Sequence, residues 1–337
     1  MSKKPRSEFK PFTLYDPTKP LPAIYDKRAA KELKENKEQL AAHLESFRRW
    51  IKSMPHLQCT LDDNLLLAFL RHSKYNHMKA QTRLDKFCTF RTNSKEGVPE
   101  WFVDTPKRRV FWEKWLDLRC WTPIGITSNG VLVAMIRMAN CDMSEFPLKE
   151  WHAAFQLWTD LGIADQRAQI DGMCMIMDMT GMKKETMFQV FDPKISKAMT
   201  KYFQECIPFR INKLIYYNMP TFFEALFKLY SEWLNEKIRS KIIVISDDMS
   251  KAFEEVPGLK EIAPKDIGGD CKYTFEEICE GNDSVLRNIP AIGDEWNIAV
   301  DESKRPQECK YSFGTYKDLP KDAMGKAGTY VKLNDEI

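Results

Sequence analysis

A chain of 337 residues, 43% hydrophobic and 29% charged, has the length for one large domain or two modest ones and the composition of an ordinary globular protein. Its formal net charge of +3 excludes the global basic field that nucleic acid demands, so any anion site must be local. Nine scattered cysteines without a CxxC pair or a secretory signal predict reduced thiols in a cytoplasmic protein, and no run approaches the roughly 18 apolar residues of a membrane span.

Residues 1–24, with Pro5, Pro11, Pro17, Pro20 and Pro22 among charges, read as a disordered lead-in. A charged helix is expected over 29–53, ended by Met54-Pro55. Thr60 and Asp63 have the spacing to cap a second helix through Leu65, Leu66, Leu67, Phe69 and Leu70, and 78–90 reads as a third. Residues 25–99 are thus a helical lobe. Four tryptophans (Trp101, Trp112, Trp115, Trp121) mark a packed connector. Beyond it the rhythm changes to strands at 131–137, 172–179, 211–217 and 241–246, alternating with helices at 148–168, 193–206 and 220–234. That alternation predicts an α/β domain over 100–280 with a mixed, largely parallel sheet. Residues 281–337 read as a tail packed on the domain, with a short strand at 328–333. Asn282-Asp283-Ser284 is a formal glycosylation sequon without a secretory route to give it meaning.

The segment from Pro220 to Leu234 carries more apolar surface than one packing contact needs. Phe222, Leu226, Leu229 and Trp233 form one helical stripe, which Phe223, Phe227, Tyr230 and Leu234 widen, and Thr221 and Glu224 have capping-box spacing. Such a helix is either buried nearly all round or covers something apolar that is not protein. Two basic groups flank it: Arg210 and Lys213 with Asn212 before, Lys237, Arg239 and Lys241 after. If their strands are neighbours, these cations converge beside the apolar surface, a combination that suits an anionic membrane.

Parts for catalysis are missing. No GxGxxG follows a strand, and there is no P-loop, GxSxG elbow or HExxH. His72 and His77 lack a metal spacing and read as surface residues; Asp178 and Asp247-Asp248 read as turn or cap residues. An α/β domain without a catalytic constellation is a candidate binding module, not an enzyme.

Several stretches, in order, resemble the CRAL-TRIO family of lipid-transfer proteins, in particular its retinaldehyde-binding and α-tocopherol-transfer branch and the arthropod members of that branch. Asp62 to Arg71, then Lys74-Tyr75 and Arg91, resemble its N-terminal helical motif. Gly172 to Asp178 with Gly181 resembles its strand ending in Asp-x-x-Gly. Pro208-Phe209-Arg210, Asn218-Met219-Pro220 and Pro264 to Gly269 resemble its later motifs, and Gly328 to Leu333 its arthropod tail. The resemblance implies a pocket floored by the sheet, with the 220–234 helix as a mobile lid, no cofactor, and a bound hydrophobic ligand shuttled between membranes. It also implies phosphoinositide binding at the positions of Arg210, Arg239 and Lys241. One departure is Asn212, where a second basic residue is usual; strand alternation points the adjacent Lys213 to the opposite face.

The resulting expectation is a carrier of one lipid, such as a retinoid, tocopherol or carotenoid. Its pocket candidates are Met175, Met177, Phe188, Phe191, Ile195, Met199, Phe203, Ile215, Tyr217, Phe222, Phe223 and Phe227; its membrane-facing candidates are Arg210, Lys213, Lys237, Arg239 and Lys241. The rival readings are an interaction scaffold whose cavity is filled by its own side chains, and a hydrolase or isomerase with an unusual site.

Overall fold

The structure is a computed structural model and describes residues 9–306, apart from 60, 61, 96, 103, 104, 143, 145, 191 and 290–295. The lobe is built from α1 (Ala23–Leu33), α2 (Leu40–Ser53), α3 (Asp63–His72) and α4 (His77–Thr92), with β1 (Leu57–Cys59) between α2 and α3. Two helices stand where one was expected over 29–53. Lys34 takes a left-handed φ of 63° that ends α1, and the Asn36 side chain caps a new turn by accepting the Glu38 N–H. The break turns Glu35 inward, where its carboxylate accepts bonds from Arg71 Nε at 2.7 Å and the Tyr75 hydroxyl at 2.8 Å. Asp62, rather than Thr60 with Asp63, caps α3 by accepting the Leu65 N–H at 2.7 Å; Thr60 lies outside the described residues.

The α/β domain follows: α5 (Thr105–Asp117), β2 (Trp121–Ile126), β3 (Leu132–Arg137), α6 (Leu148–Ala164), α7 (Gln166–Asp171), β4 (Met173–Asp178), α8 (Lys184–Val190), α9 (Pro193–Lys201), β5 (Ile211–Tyr217), α10 (Thr221–Glu232), α11 (Glu236–Arg239), β6 (Ile242–Ile245), α12 (Ser250–Glu255), α13 (Leu259–Ile262) and α14 (Phe275–Arg287). β7 (Ile298–Val300) returns to the lobe and pairs antiparallel with β1. The main sheet has the order β2-β3-β4-β5-β6, antiparallel at β2-β3 and parallel elsewhere. Covered on both faces, its central strands are near-continuous apolar runs, such as Leu-Val-Ala-Met-Ile in β3. β2 was not foreseen: the expected connector ended at Thr122 and the first expected strand began at 131, and Pro123 and Gly125 are poor strand residues. It survives as an edge strand with a register shift between those two positions.

One sheet face carries Val133, Met135, Cys174, Ile176, Ile215, Ile243 and Ile245 and is sealed against the α12–α14 region. The other, with Leu132, Ala134, Ile136 and Met173, faces α5, α6 and α10. The lead-in, expected to be disordered, is laid against the domain from Phe9 onward. Phe12 N–H donates to Asn282 Oδ1 at 2.8 Å, and Phe9 meets the Tyr273 ring at 5.0 Å. Asn282, nominally a sequon, is buried and also donates to Thr122 Oγ1 and the Pro123 carbonyl. The expected boundary at 280 falls inside α14, and the expected strand at 328–333 lies outside the described residues.

Buried charge joins lobe to domain. Asp160 of α6, fully buried, accepts bonds from Arg91 of α4 and from Arg108 of α5 at 2.9 Å. Arg71 also reaches Gln169 Oε1 at 2.7 Å, and Arg83 donates to the Ile207 and Gln204 carbonyls, both at 2.9 Å. Arg305 closes the far end on Asp85 at 2.8 Å. The eight cysteines among the described residues are free thiols.

Candidate functional site: an apolar cavity under helix α10

Helix α10 presents the central anomaly of the fold: its sequence is predominantly apolar, yet none of its residues is fully buried. Phe222, Phe223 and Leu226 are half-buried on the domain core, Phe227 meets the Tyr216 ring at 4.6 Å, and Leu229 is 45% exposed. The expected capping box does not form. Thr221 is already the first helical residue, after Pro220, and among the described residues the Thr274–Glu277 pair makes such a box instead.

The helix is held mainly at its two ends. Asn218, with a left-handed φ of 58°, donates from its side chain to Thr180 Oγ1 at 3.0 Å and from its backbone to the Ile245 carbonyl at 2.8 Å. At the other end Gln204 donates to the Trp233 carbonyl at 3.0 Å and accepts the Asn235 N–H at 2.6 Å. Gln204 belongs to a π-helical turn, 202–206, that ends α9 where a continuous α-helix was expected.

Beneath α10 lies a cavity of about 240 Å³. β4 supplies Met175 and Met177, β5 supplies Ile211, Leu214 and Tyr216, and α9 with its π turn supplies Met199, Thr200 and Phe203. α6 forms a wall with Trp151, His152, Phe155, Trp158 and Thr159, and the α10–α11 region adds Tyr230, Leu234 and Ile238. A larger cavity, about 440 Å³, lies under the 9–17 strap, with Asp62, Asp63 and Asp165 in its wall. We take the smaller one as the site: its wall is mostly apolar, and α10, the apolar helix left half-open, meets it through Tyr230.

Four expected pocket residues, Met175, Met177, Met199 and Phe203, line this cavity. Others lie elsewhere. Ile215 and Tyr217 belong to the sealed face of the sheet, because Asn212 is an extra residue between the Met173–Ile211 and Cys174–Lys213 pairs. That bulge leaves Ile211 on the cavity side and then hands the cavity to Leu214 and Tyr216. Phe188 points outward, 73% exposed, and Ile195 packs on the lobe core. Phe222, Phe223 and Phe227 belong to the roof without lining the cavity, and Phe191 lies outside the described residues. The α6 wall went unforeseen, although the spacing of Trp151, Phe155 and Trp158 is a helical stripe visible in the sequence.

Cations gather beside the roof. Burial, then Lys237, Arg210 and Lys213, push the Lys241 ammonium down to about 8. Burial also lowers Lys237, with further contributions from Arg210, Arg83, Lys74 and Lys79. Burial lowers Arg210 as well, and its Nε has no hydrogen-bond partner among the described residues. Lobe residues Lys74, Lys79 and Arg83 thus extend a patch expected only from the domain. His72, expected at the surface, is pushed well below the usual imidazole range by burial and then by Arg83, Lys237, Arg210 and Lys241. His77 is half-buried and stacks on His43 at 5.1 Å.

The flanking cations are held differently, and Lys241 donates to the Ile211 carbonyl. Lys213 points to the sealed face and binds Glu255 at 2.6 Å; Arg239 is exposed and donates to the Leu234 carbonyl at 2.8 Å. Gly172, at φ +76°, lets Arg210 approach: a Cβ there would lie 2.8 Å from the Arg210 carbonyl. The expected turn roles are seen at Asp178, which accepts Thr180 N–H at 3.0 Å and Arg137 Nε at 2.8 Å, and at Asp248, which accepts Ser250 N–H at 2.9 Å. Among the described residues no His, Cys, Asp and Glu cluster is placed to hold a metal.

A CRAL/TRIO domain matches residues 119–269, and a Pinta-like UBA domain matches residues 36–106. The chain thus carries a CRAL/TRIO domain over residues 119–269. Among its relatives, the human protein "Alpha-tocopherol transfer protein-like" is 26% identical over 246 residues, covering 72% of this chain and 69% of its own. Rat "Clavesin-2" is 22% identical over 246 residues, covering 72% of each. The solved structure titled "Crystal structure of Sfh5" superposes with a TM-score of 0.43 at 15% identity, over 84% of this chain and 93% of that one.

Proposed function

We propose that this protein is a non-catalytic carrier that holds one hydrophobic lipid in the α10 cavity and releases it at an anionic membrane. The observation that carries this reading is α10 itself, an apolar helix with no fully buried residue, set over a cavity walled by methionines and aromatic rings. Methionine side chains make such a wall adaptable to irregular cargo. The names of the relatives, with tocopherol transfer among them, agree with it. No helix among the described residues is long and apolar enough to cross a membrane, so contact with the bilayer would be peripheral. Leu229, exposed on α10, and the cations at Arg210, Lys237 and Lys241 suit a surface of apolar chains under phosphorylated headgroups, and Phe188 of α8 is exposed as well. In this reading the patch takes a phosphoinositide headgroup, and the lid swings where exposed grease finds lipid instead of water.

Extraction of the purified protein with organic solvent and mass spectrometry should recover a stoichiometric apolar molecule; a protein that yields none, and takes up none from vesicles, is the scaffold instead. Double charge reversal, Arg210→Glu with Lys241→Glu, should weaken binding to vesicles containing phosphatidylinositol phosphates by roughly tenfold or more, at about 1 kcal/mol per cation. Unchanged vesicle binding would remove the headgroup from the proposal and leave the cargo reading intact.

A further inference from the structure

Residues 219–240, which hold α10 and α11, are tethered to the sheet at both ends. Before them, the Tyr217 carbonyl accepts the Met179 N–H at 2.9 Å and the Asn218 N–H donates to the Ile245 carbonyl at 2.8 Å; after them, the Lys241 carbonyl accepts the Leu214 N–H at 3.0 Å. Between these tethers, at the α10–α11 junction, the hold is a side chain. The Gln204 amide donates to the Trp233 carbonyl at 3.0 Å and accepts the Asn235 N–H at 2.6 Å. Both of its polar atoms thus serve backbone groups that the end of one helix and the start of the next leave without intrahelical partners. One turn before Gln204, Thr200 shares a hydrogen bond with the Tyr230 hydroxyl. Asn235 in turn caps α11 by accepting the Ile238 N–H at 3.0 Å, and Leu234 and Ile238, on either side of it, line the cavity. Whatever frees this junction therefore opens the cavity wall.

Gln204 stands on the π turn, and the lobe holds that turn. Arg83 of α4 donates to the carbonyls of Gln204 itself and of Ile207, both at 2.9 Å. Lys86 reaches Glu205 at 2.7 Å, Arg91 donates to the Tyr202 hydroxyl at 3.2 Å, and the Tyr202 ring stacks on Phe90 at 4.6 Å. Carbonyls at a helix end need donors from outside the helix, and here one guanidinium supplies two of them.

We propose that Gln204 is the latch of the cavity: the lid opens at the α10–α11 junction while its sheet tethers stay in place, and the lobe positions the latch through Arg83. Both are positioning residues, which set how fast cargo passes rather than how tightly the apolar wall holds it. A pair of hydrogen bonds suits that task, because it keeps the junction closed and still breaks without unfolding the domain.

This inference rests on the carrier reading for its cargo, but the latch is readable with none bound. Amide exchange in the full chain compares the Asn235 N–H, held by Gln204, with the Asn218 N–H, held by the sheet. Gln204→Leu should speed exchange at Asn235 roughly tenfold and leave Asn218 within about twofold; Arg83→Met should do the same to a smaller degree, about threefold. Gln204→Glu, which keeps the acceptor and loses the donor, should fall between the unmodified protein and Gln204→Leu. The apolar dye 1-aminoanthracene, which brightens out of water, then reports passage by stopped flow. In Gln204→Leu its association and dissociation rates should rise together, each roughly tenfold, with Kd held within about twofold. If Arg83→Met does not fold, judged by its thermal transition, the two Gln204 variants decide. Unchanged exchange at Asn235, or equal acceleration at Asn218, overturns the proposal, as does a weaker Kd with an unchanged association rate, which would make Gln204 an ordinary lining residue. Failure of the dye to bind the unmodified protein overturns the carrier reading, and exchange at Asn235 against Asn218 still decides the latch.

Discussion

Helices α3 and α10 are both short and apolar, and the fold treats them in opposite ways. Seven of the ten residues of α3 are buried, and its terminal Arg71 is clamped by Glu35 and Gln169. None of the twelve residues of α10 is buried, and its described anchors lie at its ends. An apolar helix that protein could seal, and does not, is one whose partner changes. In the proposed reading, the lobe and its seam with the domain form the frame, and α10 is the part that a ligand or a membrane would shift.

The contrast breaks most sharply at the seam. Asp160→Ala should cost about 3–5 kcal/mol in denaturant unfolding, because it leaves the Arg91 and Arg108 guanidinium groups buried without their carboxylate. Phe69→Ala in α3, whose fully buried ring meets Phe87 at 5.3 Å, should cost about 3–5 kcal/mol, against about 1 kcal/mol for Phe223→Ala in α10. Equal losses at the two positions would show that α10 is as firmly sealed as α3.

Acid probes the cavity wall. His152 has a native value of about 4 against an ordinary 6.5, so the unfolded chain binds the proton that the native chain refuses. Its contribution is therefore fully present above about pH 6.5 and lost as pH falls through about 4. Urea unfolding at pH 7 and pH 4.5 should show a steeper loss for the unmodified protein than for His152→Phe, by on the order of 1–3 kcal/mol.

The smallest stability effects belong to the surface beside the roof. Leu229→Ser should change stability by no more than about 0.5 kcal/mol while weakening vesicle association measurably in a sedimentation assay. Lys241 carries a depressed value of about 8, so its charge opposes the fold below that pH and the penalty fades between about 8 and the ordinary lysine value. Lys241→Met should accordingly raise stability at pH 7, by less than about 1 kcal/mol, and lower binding of anionic vesicles.

Much of this was legible in the sequence. The strands at 211–217 and 241–246, the apolar excess of 220–234 and the cations on either side of it follow from composition and spacing, because hydrophobic period and chain-local turn chemistry are properties of neighbouring residues. Met175 and Met177, named as pocket candidates, line the cavity under α10. The misses have physical causes. Ile215 and Tyr217 were named as pocket candidates with the two faces of the strand left unseparated, and the register shift at Asn212 places them on the sealed face. Pro123 and Gly125 hid an edge strand, and Lys34 with Asn36 divided a helix whose apolar spacing runs on past the break.

The sequence by itself determined most of the elements, the apolar excess of 220–234 and the resemblance to a lipid-transfer family, since each is encoded within short windows or ordered motifs. Only the tertiary structure decided which face of the sheet meets the cavity, that α6 supplies its wall, and that lobe residues Lys74, Lys79 and Arg83 join Arg210, Lys237 and Lys241 in one patch. Those outcomes depend on register, on a one-residue bulge and on the docking of the lobe against α6 and the π turn. They are set by packing between segments far apart in the chain, where a local pattern carries no information.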